Sequence, residues 1–98
     1  MFKQIVDIGQ KYTDIAMVMG MLYRSEINIH ISTLWDGRYD VKLGDEHNGF
    51  VAEDNVKTFS ACVNFLDIQA QIHFPTSLYA RWCKGENPDE VEKDMAGA

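Results

Sequence analysis

The first twenty-four residues carry a single helical stripe. Ile5, Ile8, Tyr12, Ile15, Met19 and Leu22 are apolar at steps that alternate between three and four. That spacing places side chains on one face of an α-helix. A helix from about Phe2 to Arg24 is roughly 33 Å long at about 1.5 Å per residue. It spans a domain of this size, so the pattern predicts a long N-terminal helix laid across the rest of the chain. The opposite face changes character midway. Lys3, Asp7, Gln10, Lys11 and Asp14 are polar, but Met17, Val18 and Met21 then occupy positions that ought to be wet. A helix end that is apolar all round is covered all round. The cover is either the chain's own sheet and second helix or a partner that exploits the adaptable methionine side chain. Met17 and Met21 are therefore candidate interface residues.

From Glu26 the period becomes two. Ile27, Ile29 and Ile31 alternate with Asn28, His30 and Ser32; Tyr39, Val41 and Leu43 alternate with Arg38, Asp40 and Lys42. Asp36-Gly37 between them marks a hairpin. A two-residue turn would pair Ile31 with Lys42 and mix isoleucines with charges on one face, against the logic of register. A three-residue loop, Trp35-Asp36-Gly37, pairs Thr33 with Tyr39, Ile31 with Val41 and Ile29 with Leu43. All the apolar residues then share a face, with Gly37 at the left-handed position that such a loop needs.

Gly44 to Gly49 reads as a polar turn, and Phe50 to Glu53 as a short third strand. A second helix comes next, with Asp54 or Thr58 as its N-cap. Phe59, Val63, Leu66 and Ala70 form its stripe, with Cys62 alongside. Ile68, Ala70, Ile72 and Phe74 also alternate as a strand would; the earlier helical period favours helix to about Ile72. Pro75 ends it. Thr76 or Ser77 caps a short third helix bearing Leu78, Tyr79 and Trp82, which Gly85 closes. Asn87-Pro88-Asp89-Glu90 is a further helix start. Only Val91 and Met95 are available to dock the C-terminal residues, so the tail is expected to fray. The expected fold is α+β. A two- or three-stranded antiparallel meander carries helices one and two on its apolar face, in a single domain over residues 1–85 with an acidic tail over 86–98.

Charge changes the picture only at the C-terminus. The net charge is −6, and residues 86–98 hold five acids against one lysine. The body is nearly balanced and has no cluster of Lys and Arg to meet phosphates, which argues against direct nucleic-acid binding. The longest strongly apolar run, Ile15 to Tyr23, falls well short of the roughly 20 residues that span a membrane. With no signal-peptide pattern and only Cys62 and Cys83, the chain reads as cytoplasmic.

Candidate chemistry is sparse. His30, His47 and His73 have no ligand-like spacing to cysteines or carboxylates, and a specific metal site needs three or four convergent ligands. Cys62 sits on the apolar side of its helix, where cysteine behaves as a small core residue. Gly44 and Gly49 bracket acids, which repel phosphate. No catalytic residue, cofactor or metal is expected. Two aromatic clusters remain: Trp35, Arg38 and Tyr39 at the hairpin tip, and Tyr79, Arg81 and Trp82 on the short helix. Trp, Tyr and Arg dominate the energetic centres of protein interfaces. Core packing is the competing reading for both tryptophans, although Trp35, at a turn, is harder to bury than Trp82.

An N-terminal helix, then DGRYDVKLGDEHNGFVAE, then TFSACVNFLDIQAQIHFPTSLYAR, resembles a loose class of small phage and prophage α+β proteins. The class includes anti-CRISPR-type inhibitors of bacterial defence. The resemblance implies a non-enzymatic protein-binding module that acts on a host defence complex in the host cytoplasm. It assigns no residue. The alternatives are a homodimeric structural or assembly protein joined through helix one, and a secretion-chaperone-like protein.

Overall fold

The computed structural model describes residues 15–97. The first part of the expected N-terminal helix, with Ile5, Ile8 and Tyr12, lies outside the described residues. Within them the chain is α+β, with a three-stranded antiparallel sheet and four helices. Helix α1 covers Ile15–Arg24. Strands β1 (Ile29–Thr33), β2 (Tyr39–Asp45) and β3 (Gly49–Val56) come next, then helices α2 (Phe59–His73), α3 (Leu78–Cys83) and α4 (Pro88–Gly97).

The sheet order is β1-β2-β3. Ile29 pairs with Leu43, Ile31 with Val41 and Thr33 with Tyr39, as the three-residue loop requires. Leu34 N–H donates to Arg38 O at 2.7 Å and Gly37 N–H to Leu34 O at 2.9 Å, with Gly37 at φ +89°. The apolar face therefore stays in phase, and Val41 and Leu43 are fully buried. The third strand is longer than expected and runs to Val56, which pairs with Tyr39. Asp54 is thus a strand residue. The cap of α2 is Thr58, whose Oγ1 accepts the Ala61 N–H at 3.0 Å.

Helix α2 covers the sheet face, burying Cys62, Val63, Leu66 and Ala70. It continues to His73, so the alternation of residues 68–74 is not a strand. Over its described residues, helix α1 packs chiefly on α2 and α3; the expected path of the helix across the sheet depends also on positions outside the described residues. Three strands about 4.8 Å apart are only about as wide as one helix, so among the described helices α2 is the main cover of the apolar face. The buried face of α1 is Val18, Met21 and Leu22.

The expected fraying tail is instead helix α4. Asn87 Oδ1 accepts the N–H groups of Asp89 (2.9 Å) and Glu90 (3.3 Å), and Val91 is 2% exposed in the core. Arg24 reaches across from the end of α1, with Nη2 2.6 Å from Asp89 Oδ1 and 2.7 Å from Glu92 Oε1. A buried valine and ion pairs from arginines on α1 and α3 supply docking that the tail's composition alone does not suggest.

Candidate protein-binding surface

The hairpin tip is built from its own polar groups. Asp36 folds back over the loop, accepting the Arg38 N–H at Oδ1 (3.1 Å) and Arg38 Nε at Oδ2 (2.9 Å). The Arg38 backbone N–H, then the guanidinium, hold the Asp36 carboxyl below its ordinary range. The residue before this clasp, Trp35, is 98% exposed. Tyr39 starts the next strand, half-buried, with its ring edge-on to Phe59 at 6.2 Å. Phe59 is the first residue of α2, so the hairpin tip and the helix start lie at the same end of the molecule. Trp35, Arg38, Tyr39 and Phe59 together make an aromatic and cationic end.

The other sequence candidates separate from it. Met21 is in the core and serves packing. Met17, on the same helix, is 53% exposed. Trp82 is half-buried against Tyr79, with ring centroids 5.6 Å apart. Arg81 is held by Glu86, with Nη2 2.7 Å from Oε1, and lies 3.7 Å from Asp94. The hydrogen bond to Glu86 raises the Arg81 pKa, and the same bond lowers that of Glu86. These ionic partners join α3 to the turn behind it and to α4. Arg81 and Trp82 are therefore engaged with Glu86, Asp94 and Tyr79 rather than with the hairpin cluster.

Two features are not evident from the sequence pattern. Phe59 belongs to the predicted core stripe but is exposed enough to extend the tip. On α2, Ile68 (45% exposed) and Ile72 (61%) stand one turn apart, away from the core stripe. Their four-residue spacing is a visible signal, but the overlapping alternation of residues 68–74 conceals it.

Pockets with convergent polar groups are the usual home of catalysis. The clefts formed by the described residues alone are open to solvent. The one lined by His30, Asp45, Glu46, His47 and Phe50 has a volume of about 420 Å³. Its Asp45 carboxylate organises the β2–β3 turn, accepting from Asn28 Nδ2 (2.5 Å) and Asn48 N–H (2.7 Å). The Asn48 N–H, then the Asn28 amide, hold its pKa down. Among the described residues, no group of three or more His, Cys, Asp or Glu is placed to hold a metal ion. The buried Asp67 accepts hydrogen bonds from Tyr79 Oη, Gln71 Nε2 (3.1 Å) and, at 3.7 Å, Cys83 Sγ. That cluster, with Asp67 and Tyr79 buried, ties α3 to α2. Burial also pushes the Cys62 thiol pKa up, away from thiolate chemistry. No helix among the described residues is long and apolar enough to cross a membrane.

Comparison with protein-family models, with curated proteins and with solved structures finds no match to this chain.

Proposed function

We propose that the chain is a small non-enzymatic protein-binding module that presents its β1–β2 hairpin tip to a partner protein. The observation that carries this reading is Trp35, 98% exposed on a loop clasped by Asp36 and Arg38. An indole left in water gains about 2–3 kcal/mol when it enters a partner's pocket. A clasped loop loses little further freedom on binding. The resemblance to small phage proteins suggests the first partner class to try, a bacterial defence complex in the host cytoplasm. Tagged wild-type protein and Trp35→Ala are used to capture proteins from a bacterial lysate, with quantitative mass spectrometry. A partner depleted at least about tenfold by the substitution is expected; captures of identical composition would remove the tip from the interface.

A second reading is favoured by the outward pair Ile68 and Ile72 on α2, which offers an apolar strip to a second copy. In that reading the protein is a homodimeric assembly unit. Sedimentation at micromolar concentration decides it: a monomer that stays monomeric excludes the dimer.

A further inference from the structure

Strand β3 is an outer strand. Among the described residues it pairs with β2 on one side only, and its eight residues make it the longest strand in the sheet. An outer strand offers a row of main-chain N–H and C=O groups to any extended segment that approaches. Natural edges are commonly guarded by proline, lysine or a covering element. β3 contains neither proline nor lysine, and Glu53, Asp54 and Asn55 are all exposed. What it carries instead is acid. Glu53 and Asp54 are adjacent, so their side chains leave opposite faces of the strand. Among the described residues neither is in an ion pair: Lys42, opposite Glu53 in the register, has its ammonium 3.8 Å from Asp40 and 5.0 Å from the Phe50 ring centroid. The Asp54 carboxylate accepts the Asn55 N–H at 2.8 Å, a local bond that an incoming strand can replace.

This pattern selects among occupants. A second copy pairing β3 on β3 about Glu53 and Asp54 sets acid against acid, which is destabilising across strands. A segment with basic residues at the matching positions meets the opposite case. Because the two acids sit on opposite faces, two successive basic residues satisfy both at once. Phe50 and Val51, both partly exposed toward the start of β3, add an apolar contact for a residue further along.

We infer that the outer edge of β3 accepts an extended segment of a partner protein bearing two adjacent Lys or Arg residues, as a fourth antiparallel or parallel strand. The inference rests on reading the chain as a protein-binding module, and it names a class of segment that such a module takes.

The test selects from a library of random ten-residue peptides against the full chain. Enriched peptides are expected to hold a Lys/Arg pair among β-branched residues. Their affinity should fall at least about tenfold in Glu53→Lys/Asp54→Lys and by a smaller factor in Glu53→Gln/Asp54→Asn, which keeps the side-chain shapes. Amide exchange along β3 should slow on binding. An empty selection, peptides without the basic pair, equal binding to both double variants, or unchanged exchange in β3 each overturns the inference. Trp35→Ala is expected to leave peptide binding intact. Loss of the edge result with Trp35-dependent capture preserved therefore removes this inference alone, and the reverse outcome removes only the hairpin-tip reading.

Discussion

The Tyr79 hydroxyl donates to the Asp67 carboxylate at 2.5 Å, with Asp67 3% and Tyr79 0% exposed. The pair fastens the short helix α3 to the middle of α2 at the point where a buried acid most needs a donor. Tyr79→Phe keeps the ring packing against Trp82 and removes only that donor. It should cost about 1–3 kcal/mol, because Asp67 then loses one of its hydrogen bonds while still buried. Urea denaturation should show a lower midpoint with an unchanged slope; an unchanged midpoint would mean the bond contributes nothing net.

The same pair fixes a response to alkali. Burial first, and the Asp67 charge second, push the Tyr79 pKa well above its ordinary value of 10.0. Its folded pKa exceeds its unfolded one, so its contribution is complete below about pH 10 and is lost as the pH rises beyond that. Ultraviolet titration should show Tyr79 ionising only together with unfolding. Tyr79→Phe should remove that step. A Tyr79 signal that titrates near its ordinary value of 10.0 in folded protein would contradict the assignment.

Helices α1 and α3 end in the same geometry with different residues. At α3, Gly85 N–H donates to Trp82 O (2.9 Å) and Glu86 N–H to Arg81 O (3.1 Å), with Gly85 at φ +99°. At α1, Glu26 N–H donates to Tyr23 O (2.9 Å) and Ile27 N–H to Leu22 O (3.1 Å), with Glu26 at φ +60°. That position favours glycine, and a side chain there is strained. Glu26→Gly should therefore stabilise by up to about 1 kcal/mol, and Gly85→Ala should destabilise by about 1 kcal/mol. Thermal denaturation of the two variants should move in opposite directions.

Arg24 joins α1 to α4 through Glu92 and Asp89. The hydrogen bond from Arg24 lowers the Glu92 carboxyl below its ordinary 4.5. A carboxyl with a depressed folded pKa stabilises fully above the unfolded value and loses that contribution as the pH falls through the folded one. Acidification through and below the ordinary carboxylate range should thus loosen α4 before the core opens. Hydrogen exchange should show the amides of residues 88–97 losing protection first, and Arg24→Gln should produce the same loss at neutral pH. Uniform loss across the chain would show that α4 and the core open together.

The hairpin is legible in the sequence because a one-residue shift would expose every isoleucine, so the pattern allows a single register. The pattern narrows the α2 cap to two residues. Asp54 loses to Thr58 because the third strand runs through it to Val56, a length that Phe50 to Glu53 does not reveal. The packing of α1 over its described residues is not legible: periodicity shows which face is apolar, but not that this face meets α2 and α3. The docking of α4 is hidden for a similar reason. It depends on Arg24, sixty-eight positions from Glu92, and no local pattern reports a contact that remote. At the candidate surface, the sequence marks Trp35 and Arg38 but does not show that Met21 faces inward while Met17 faces out.

The two tryptophans provide a test of the tip that needs no partner. Trp35 is 98% exposed, whereas Trp82 is half-buried against Tyr79. Fluorescence should resolve into a red-shifted component open to iodide and a blue-shifted one protected from it. Trp35→Phe should remove the first and leave the second. Asp36→Ala removes both acceptors that clasp Arg38, so the loop should loosen while Trp35 stays in water. The anisotropy decay of the exposed indole should then shorten, with the thermal midpoint nearly unchanged because an exposed ion pair contributes little to stability. Once a partner is known, the same variant should bind more weakly than wild type through the added cost of ordering the loop, about 1 kcal/mol or roughly fivefold in Kd. An Asp36→Ala protein with unaltered indole motion would mean that the backbone turn alone holds Trp35, and the clasp would have no part in recognition.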